Sequence, residues 1–234
     1  RFIQWTLKFL GQCTDAKALQ NTERKLRLAV YAREQMAKIV AHTGIEFDRK
    51  QKGVLYFYRS QETLDHGVAH MKFMADQGLP ITVLDRAGLV ANDPGLKNSI
   101  DEITGGILCG VDQTGDSCKF SRHLAAWLEA HHAVNFQWNT TIKYLDTTGD
   151  QITRVVTDKG DFSTDAYILT AGCDSPLILQ HIGVKLPLYP VKGYSITAKI
   201  LDESAAPIMG GVDDDKLIAY SRLGDRLRVA CTAE

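Results

Sequence analysis

The sequence predicts an α+β fold, with helices and meander-like strands mixed and no regular alternation of the two. Three observations lead there. Apolar residues recur at helical spacing in several stretches, the longest from Asp15 to His42. Strand-like runs between Val134 and Gly172 are separated by two turns, "TTGD" and "DKGD", of the kind that closes hairpins. The segment after Tyr189 reads as antiparallel strands of one sheet, broken by an "LGD" turn. Regular βαβ alternation would instead mark a complete doubly wound sheet.

Taken in order, "RFIQWTLKFL" is amphipathic and basic, and reads as a helix packed on a core, with a helix lying on a membrane or a partner as the alternative. Leu26, Val30, Met36, Ala37 and Val40 then form the inner stripe of a long helix, and Gly44 offers a left-handed stop. "IEFDRK" and "GVLYFYR" read as strands joined near Gln51 to Gly53. Ser60 caps a helix that runs to about Gln77, with Gly78 behind it. "ITVLD" is a short strand, and Asp85 caps a small helix stopped by Pro94. "EITGGILCGVDQTGD" is loop and strand. Asp116 starts a further helix with Phe120, Leu124, Trp127, Leu128 and His131 on one face. "VNFQW", "TIKYLD", "QITRVVTD", "DFSTD" and "AYILTAG" read as strands, the last one buried. A helix, "SPLILQHIG", capped by Ser175, follows. "YPVKGYSITAKI", "KLIAYSR" and "RLRVACTAE" are the closing strands.

Composition excludes several classes of function. The 234 residues carry 27 basic and 28 acidic side chains, a net charge of −1, which gives no electrostatic case for nucleic acid. No run approaches a membrane span, and no secretion signal is expected. The five cysteines form no CxxC pair, so neither a zinc site nor a disulfide framework is indicated, and a reducing cytoplasmic setting is expected. "NTT" at Asn139 is read as a chance glycosylation pattern. The chain begins without Met and is expected to be a fragment or a processed chain.

The turn "LTAGCDSP" is the main chemical signal. Thr170, Ala171 and Gly172 are small enough for a phosphate or ribose to approach the backbone, and Gly172 tolerates unusual dihedrals. A plain strand-to-helix turn remains the alternative. Lys192 and Gly193 stand between two strands, where the ammonium either meets a carboxylate, phosphate or anionic ring or is solvated. His66 and His70 stand four apart on a helix, a geometry that could ligate a metal, with Asp65 and Asp76 nearby, but no metal is expected. "DDD" at Asp213 to Asp215 reads as an exposed loop. No Ser-His-Asp order and no GxSxG elbow is present, so no catalytic residue is assigned.

The long stretch from Phe9 to Asp65, with "VLDRAGLVANDPGL", "TGDSCKFSRHLA", "YPVKGYSI" and "RLRVACTAE", resembles the middle of bacterial D-amino acid dehydrogenase small subunits. These are FAD-dependent oxidoreductases of the D-amino acid oxidase and glycine oxidase class. The resemblance implies the central part of a two-domain FAD oxidoreductase. It implies a mixed or antiparallel substrate-domain sheet with flanking helices, plus returning strands of the FAD domain. Residues 1–110 and 184–234 fall to the substrate domain, and residues 111–183 to the FAD domain. The Gly-rich dinucleotide fingerprint of the family lies upstream of a segment like this one, and its main substrate-carboxylate Arg lies downstream.

Carried over by position, Ile142, Thr170, Ala171 and Gly172 are implied on the FAD side, and Lys192, Tyr194 and Tyr220 on the substrate side. The implied chemistry is oxidation of a D-amino acid to a 2-oxo acid and ammonia. Electrons leave to a quinone or dye, with peripheral attachment at the inner face of the cell membrane. Two other readings stand beside it. One keeps the flavin but oxidises glycine, sarcosine, proline or another amine. The other is a non-catalytic module that binds a small acid or a partner protein. The chain by itself is expected to be inactive and to hold FAD weakly, because pyrophosphate rests on the Gly-rich loop and helix N-terminus.

Overall fold

The structure, a computed structural model, describes residues 2–233, with the backbone alone for Thr232 and Ala233. Arg1, in the first expected helix, and Glu234, in the last expected strand, lie outside the described residues. In chain order the elements are α1 (Phe2–Leu10), α2 (Asp15–Thr43), β1 (Val54–Tyr58), α3 (Gln61–Asp76), β2 (Ile81–Asp85), α4 (Arg86–Asn92), β3 (Gly105–Cys109), α5 (Ser117–His131), β4 (Ile142–Thr148), β5 (Gln151–Thr157), β6 (Asp161–Phe162), α6 (Ser175–Leu179), β7 (Gly193–Lys199), β8 (Gly210–Asp213), β9 (Ile218–Leu223) and β10 (Arg226–Ala233). A 3₁₀ segment, Pro94–Glu102, follows α4.

The chain divides into two compact units. The large unit holds residues 26–132 and 192–234, and the small unit holds residues 1–25 and 133–191, so one border falls inside α2.

The large unit is built on a seven-stranded mixed sheet of order β2-β3-β1-β8-β9-β10-β7. Its pairs are antiparallel except β1 with β8. Alternation along β1 sends Leu55 and Phe57 to one face and Tyr56 and Tyr58 to the other. Leu55 and Phe57 join Leu89, Leu96, Ile103 and Met209 in a core under α4 and the 3₁₀ segment. On the opposite face Tyr58 and Ile107 pack with Leu64 and Met71 of α3. Gly67 lets α3 close on the sheet, because a Cβ there would stand 2.3 Å from the Tyr58 ring.

The caps follow the sequence reading in three places. The Ser60 hydroxyl accepts from Thr63 N, Asp85 accepts from Gly88 N, and Asp116 accepts from Cys118 N and Lys119 N. Asp93 is fully buried and accepts from Gly95 N, Ile208 N and Met209 N, which ties the 3₁₀ segment to the start of β8.

The small unit carries a three-stranded antiparallel sheet, β4-β5-β6, with α1, α6 and the start of α2. Gly149 and Gly160, both at positive φ, close the two expected hairpins.

Several expectations are corrected. "IEFDRK" forms no strand, because Asp48 takes a positive φ of 56° and only Lys50 bridges to Thr114. "VNFQW" is irregular and is ordered by stacking of Phe136 on Trp138. "DFSTD" contributes two residues to the sheet. Ser175 is the first residue of α6, whose N-cap is Asp174. In the "DDD" run, Asp213 is buried and held by Arg59 at 2.8 Å, because it ends strand β8 and does not lie in a loop. α1 buries none of its residues, against the expectation of core packing. The run Ala166–Thr170 joins no sheet among the described residues, and Ile168 is 89% exposed. An extended segment becomes a strand only when neighbours take its backbone groups, and among the described residues no strand pairs with this one.

Candidate functional site

The four cofactor-side candidates all lie in the small unit, and the three substrate-side candidates all lie in the large unit. Ile142 opens β4, pairs with Thr157 and is partly exposed. The run that leads to Thr170 is anchored at Tyr167, whose hydroxyl donates to Thr153 O at 2.9 Å and accepts from Thr164 N. Thr170 is exposed and Ala171 half-buried. Gly172 then turns the chain at φ 53°, and nothing lies within 4 Å of where its Cβ would stand. Asp174 N donates to Ala171 O at 3.0 Å, and the buried Ser175 and Pro176 fix the start of α6. The result is a left-handed turn of small residues with open space on its outer side.

In the large unit, register places Tyr220 and Tyr194 on one sheet face. Tyr220 pairs with Val229, two residues before Cys231, and Cys231 pairs with Tyr194. The same face carries Leu55 and Phe57 further along, through Gly211 opposite Tyr220. It is buried beneath α4 at one end and open at the other, where Tyr194 is 45% and Ile196 75% exposed. Lys192, just before β7, holds its Nζ 5.0 Å from the centre of the Tyr194 ring. The structure therefore brings Lys192 and Tyr194 together.

Tyr220 lies two strands away, about 10 Å by strand spacing. Its ring lies over Gly211, where a Cβ would stand 2.3 Å from the hydroxyl. It packs on the core, 6.3 Å from the Phe57 ring. Its buried hydroxyl has no hydrogen-bond partner among the described residues. Burial, and secondarily Asp93, push that hydroxyl's pKa well above its ordinary value.

A feature the sequence reading did not single out is a cavity of about 510 Å³ between α2, Val54 and the 111–115 loop. Its wall is apolar apart from Arg33, Asp112, Gln113, Thr114 and Ser117. Burial raises the Asp112 carboxyl pKa, and Arg33 opposes the shift. Cys109, at the end of β3, is pushed up to about 11 by burial and by Asp112. The signal was available, because Arg33 interrupts the apolar stripe Leu26, Val30, Met36 at helical spacing. A second cavity, about 530 Å³, is lined by Tyr56, Tyr58, His66, His70, Asp214 and Asp215. The Tyr58 hydroxyl is pushed up to about 12 by burial, then by Asp214. Among the described residues no group of three or more His, Cys, Asp or Glu is arranged to hold a metal ion.

Residues 8–234 match the profile of the DAO family, described as FAD dependent oxidoreductase. The chain belongs to that family. A protein of Mesorhizobium japonicum named D-amino acid dehydrogenase 2 is 45% identical over 233 residues, 100% of this chain and 56% of that protein. A D-amino acid dehydrogenase of Paramagnetospirillum magneticum is 40% identical over 230 residues, 98% of this chain and 54% of that protein. The chain thus spans just over half the length of these curated relatives. Among solved structures, glycine oxidase from Bacillus cereus superposes with a TM-score of 0.76 at 16% identity, covering 89% of this chain and 56% of that one. L-Proline dehydrogenase from P. horikoshii gives 0.73 at 15% identity, covering 87% and 54%. At such identities the likeness shows the fold alone, and that fold agrees with the two-domain α+β architecture expected from the sequence.

FAD is the cofactor in the DAO family's description. The described residues fit one flank of a nucleotide of that kind. A left-handed glycine without neighbours, preceded by small side chains, leaves room for a ribose or phosphate against the backbone.

Proposed function

We propose that this chain is the central part of an FAD-dependent D-amino acid dehydrogenase. The observation that carries the reading is similarity along essentially the whole chain, at 38–45% identity, to proteins that bear that name. In this reading the small unit holds the cofactor's nucleotide through the backbone at Ile142 and the turn at Thr170, Ala171 and Gly172. The large unit is the substrate domain. Lys192 and Tyr194, brought together at the open end of the sheet face, orient the amino acid, and Tyr220 supports that face from beneath.

When bound, the flavin supplies the acceptor for the hydride that leaves the substrate Cα. The nitrogen loses a proton, water adds to the imino acid, and ammonia departs to leave a 2-oxo acid. The electrons then pass to a quinone or dye, and the protein sits peripherally at the inner face of the cell membrane. Among the described residues no helix is long and apolar enough to cross a membrane.

The test is a visible spectrum of the purified chain with and without FAD, beside the same measurement on the longer protein. The longer protein is expected to be yellow and to reduce a dye with D-alanine, while the chain alone stays colourless. A longer protein that holds no flavin, or that oxidises glycine, sarcosine or proline in preference to D-amino acids, would overturn the reading.

A further inference from the structure

One side of α2 is apolar except at a single position. Leu26, Val30 and Met36 recur at helical spacing, and Arg33 stands among them. Yet α2 buries none of its residues. Its stripe meets the cavity of about 510 Å³ instead of packed side chains, with Phe47, Val54 and Phe120 also in the wall. Every residue of that wall belongs to the large unit. Small-molecule sites usually measure about 300–1,000 Å³.

The loop opposite α2 is fixed by its backbone. Lys50 N donates to Thr114 O at 2.9 Å, Thr114 N to Lys50 O at 3.0 Å, and Gly53 N to Asp112 O at 3.1 Å. Gly115 lets the Phe47 ring close on this loop, because a Cβ there would stand 2.7 Å from the ring. Phe47 meets Phe120 edge-on at 5.1 Å. The segment that carries Asp112 is therefore set without any help from a ligand.

Two opposite charges line the space. Burial raises the Asp112 carboxyl pKa, and the Arg33 guanidinium is near enough to oppose it. Even so, the two side chains do not close into an ion pair. Among the described residues neither side chain has a hydrogen-bond partner. Their neighbour Gln113 differs, since its Oε1 accepts from Arg49 Nε at 2.5 Å. A cation within an apolar stripe and a half-buried carboxylate are each costly unless something pairs with them. A molecule with a carboxylate and an ammonium on neighbouring atoms pairs with both at once.

We propose that this cavity is a site for a small zwitterion with an apolar tail, of the class of a free amino acid with an aliphatic side chain. Its carboxylate meets Arg33, its ammonium meets Asp112, and its side chain lies among Leu26, Val30, Met36 and Phe120. The site is distinct from the one at Lys192 and Tyr194. Val54 lies on the opposite sheet face from Leu55, and the Leu55 face is the one that carries Tyr194. The proposal goes beyond the catalytic reading and does not rest on it.

Calorimetric titration of the chain with L-leucine and D-leucine tests it. Neither flavin nor turnover enters the measurement, so its failure leaves the catalytic reading untouched. Saturable binding is expected. 4-Methylpentanoate lacks the ammonium and 3-methylbutylamine lacks the carboxylate, and each is expected to bind about tenfold more weakly. Arg33→Gln and Asp112→Asn are each expected to weaken leucine binding about tenfold. Met36→Trp, which fills the cavity, is expected to abolish it. Circular dichroism melts serve as the folding control for the variants, and the two analogues need no variant at all. Absence of saturable binding overturns the proposal, and so does an analogue that binds as well as leucine. Loss of binding on Lys192→Ala, with Arg33→Gln harmless, places the ligand on the other sheet face and overturns it too. In the longer protein the Arg33-dependent part of the binding is expected to persist. If Arg33→Gln changes nothing there, another segment of the polypeptide fills the cavity and the proposal falls.

Discussion

The two units differ in how far each satisfies itself. In the large unit a seven-stranded sheet has a core on each face, and Leu55, Leu89 and Ile107 are completely buried. In the small unit the sheet has three strands, and Leu145 is its one buried large apolar side chain among the described residues. There the Ala166–Thr170 run, apolar and rich in β-formers, lies beside the sheet without joining it. The contrast teaches that a sequence suited to a buried strand is not a strand until neighbours supply its hydrogen bonds and cover its faces. The large unit meets that condition within the chain. The small unit lacks it at the segment that leads into the candidate cofactor turn.

The strongest way to break this comparison is to open the large unit's core. Leu55→Ala removes a fully buried side chain between β3 and β8. It is expected to cost about 3 kcal/mol in urea unfolding monitored by a probe in the large unit. A cost below about 1 kcal/mol would mean that this core is no better packed than the small unit.

A smaller effect is expected at Asp116. Its carboxylate caps α5 and faces Arg226 at 3.2 Å. The backbone N–H of Lys119 is the largest influence holding its pKa below the ordinary carboxylate value. A carboxyl depressed in the folded state stabilises at pH values above its unfolded pKa. That contribution fades below about pH 4, as pH falls through the folded pKa. Asp116→Ala is expected to cost about 1 kcal/mol at neutral pH and progressively less on acidification, read from melts between neutral pH and pH 3. A pH-independent difference would remove the carboxylate from the explanation.

The smallest effect sharpens the comparison instead. Ile168→Ala is expected to change the stability of this chain by no more than about 0.5 kcal/mol, because the side chain is already in water. In the longer protein the same substitution is expected to cost about 1 kcal/mol or more, as the segment gains strand neighbours. Equal small effects in both would mean that the segment is a surface loop.

Local chemistry made much of the fold legible. Ser60, Asp85 and Asp116 cap helices because their side chains accept from the next turn's N–H groups, which three or four residues suffice to specify. The hairpin turns at Gly149 and Gly160, and the left-handed stop at Gly44 after α2, follow from the same kind of local rule. The site was legible only in part. Gly172 stands out as a turn glycine, and Lys192 with Tyr194 as a strand entry, but their surroundings are long-range facts. Arg33 and Asp112 come together across a cavity whose walls are scattered along the sequence, and the composition of neither segment announces it.

The amino-acid sequence by itself determined where most helices lie, several of their caps, and which family the chain resembles. Tertiary structure decided the rest. It placed β8 parallel to β1, buried Asp213 against Arg59, seated Tyr220 over Gly211, and left α1 with no buried residue and Ala166–Thr170 outside the sheet. The reason is physical. Caps and turns are settled by neighbours within four residues, whereas burial and strand pairing depend on what distant segments bring to the same place.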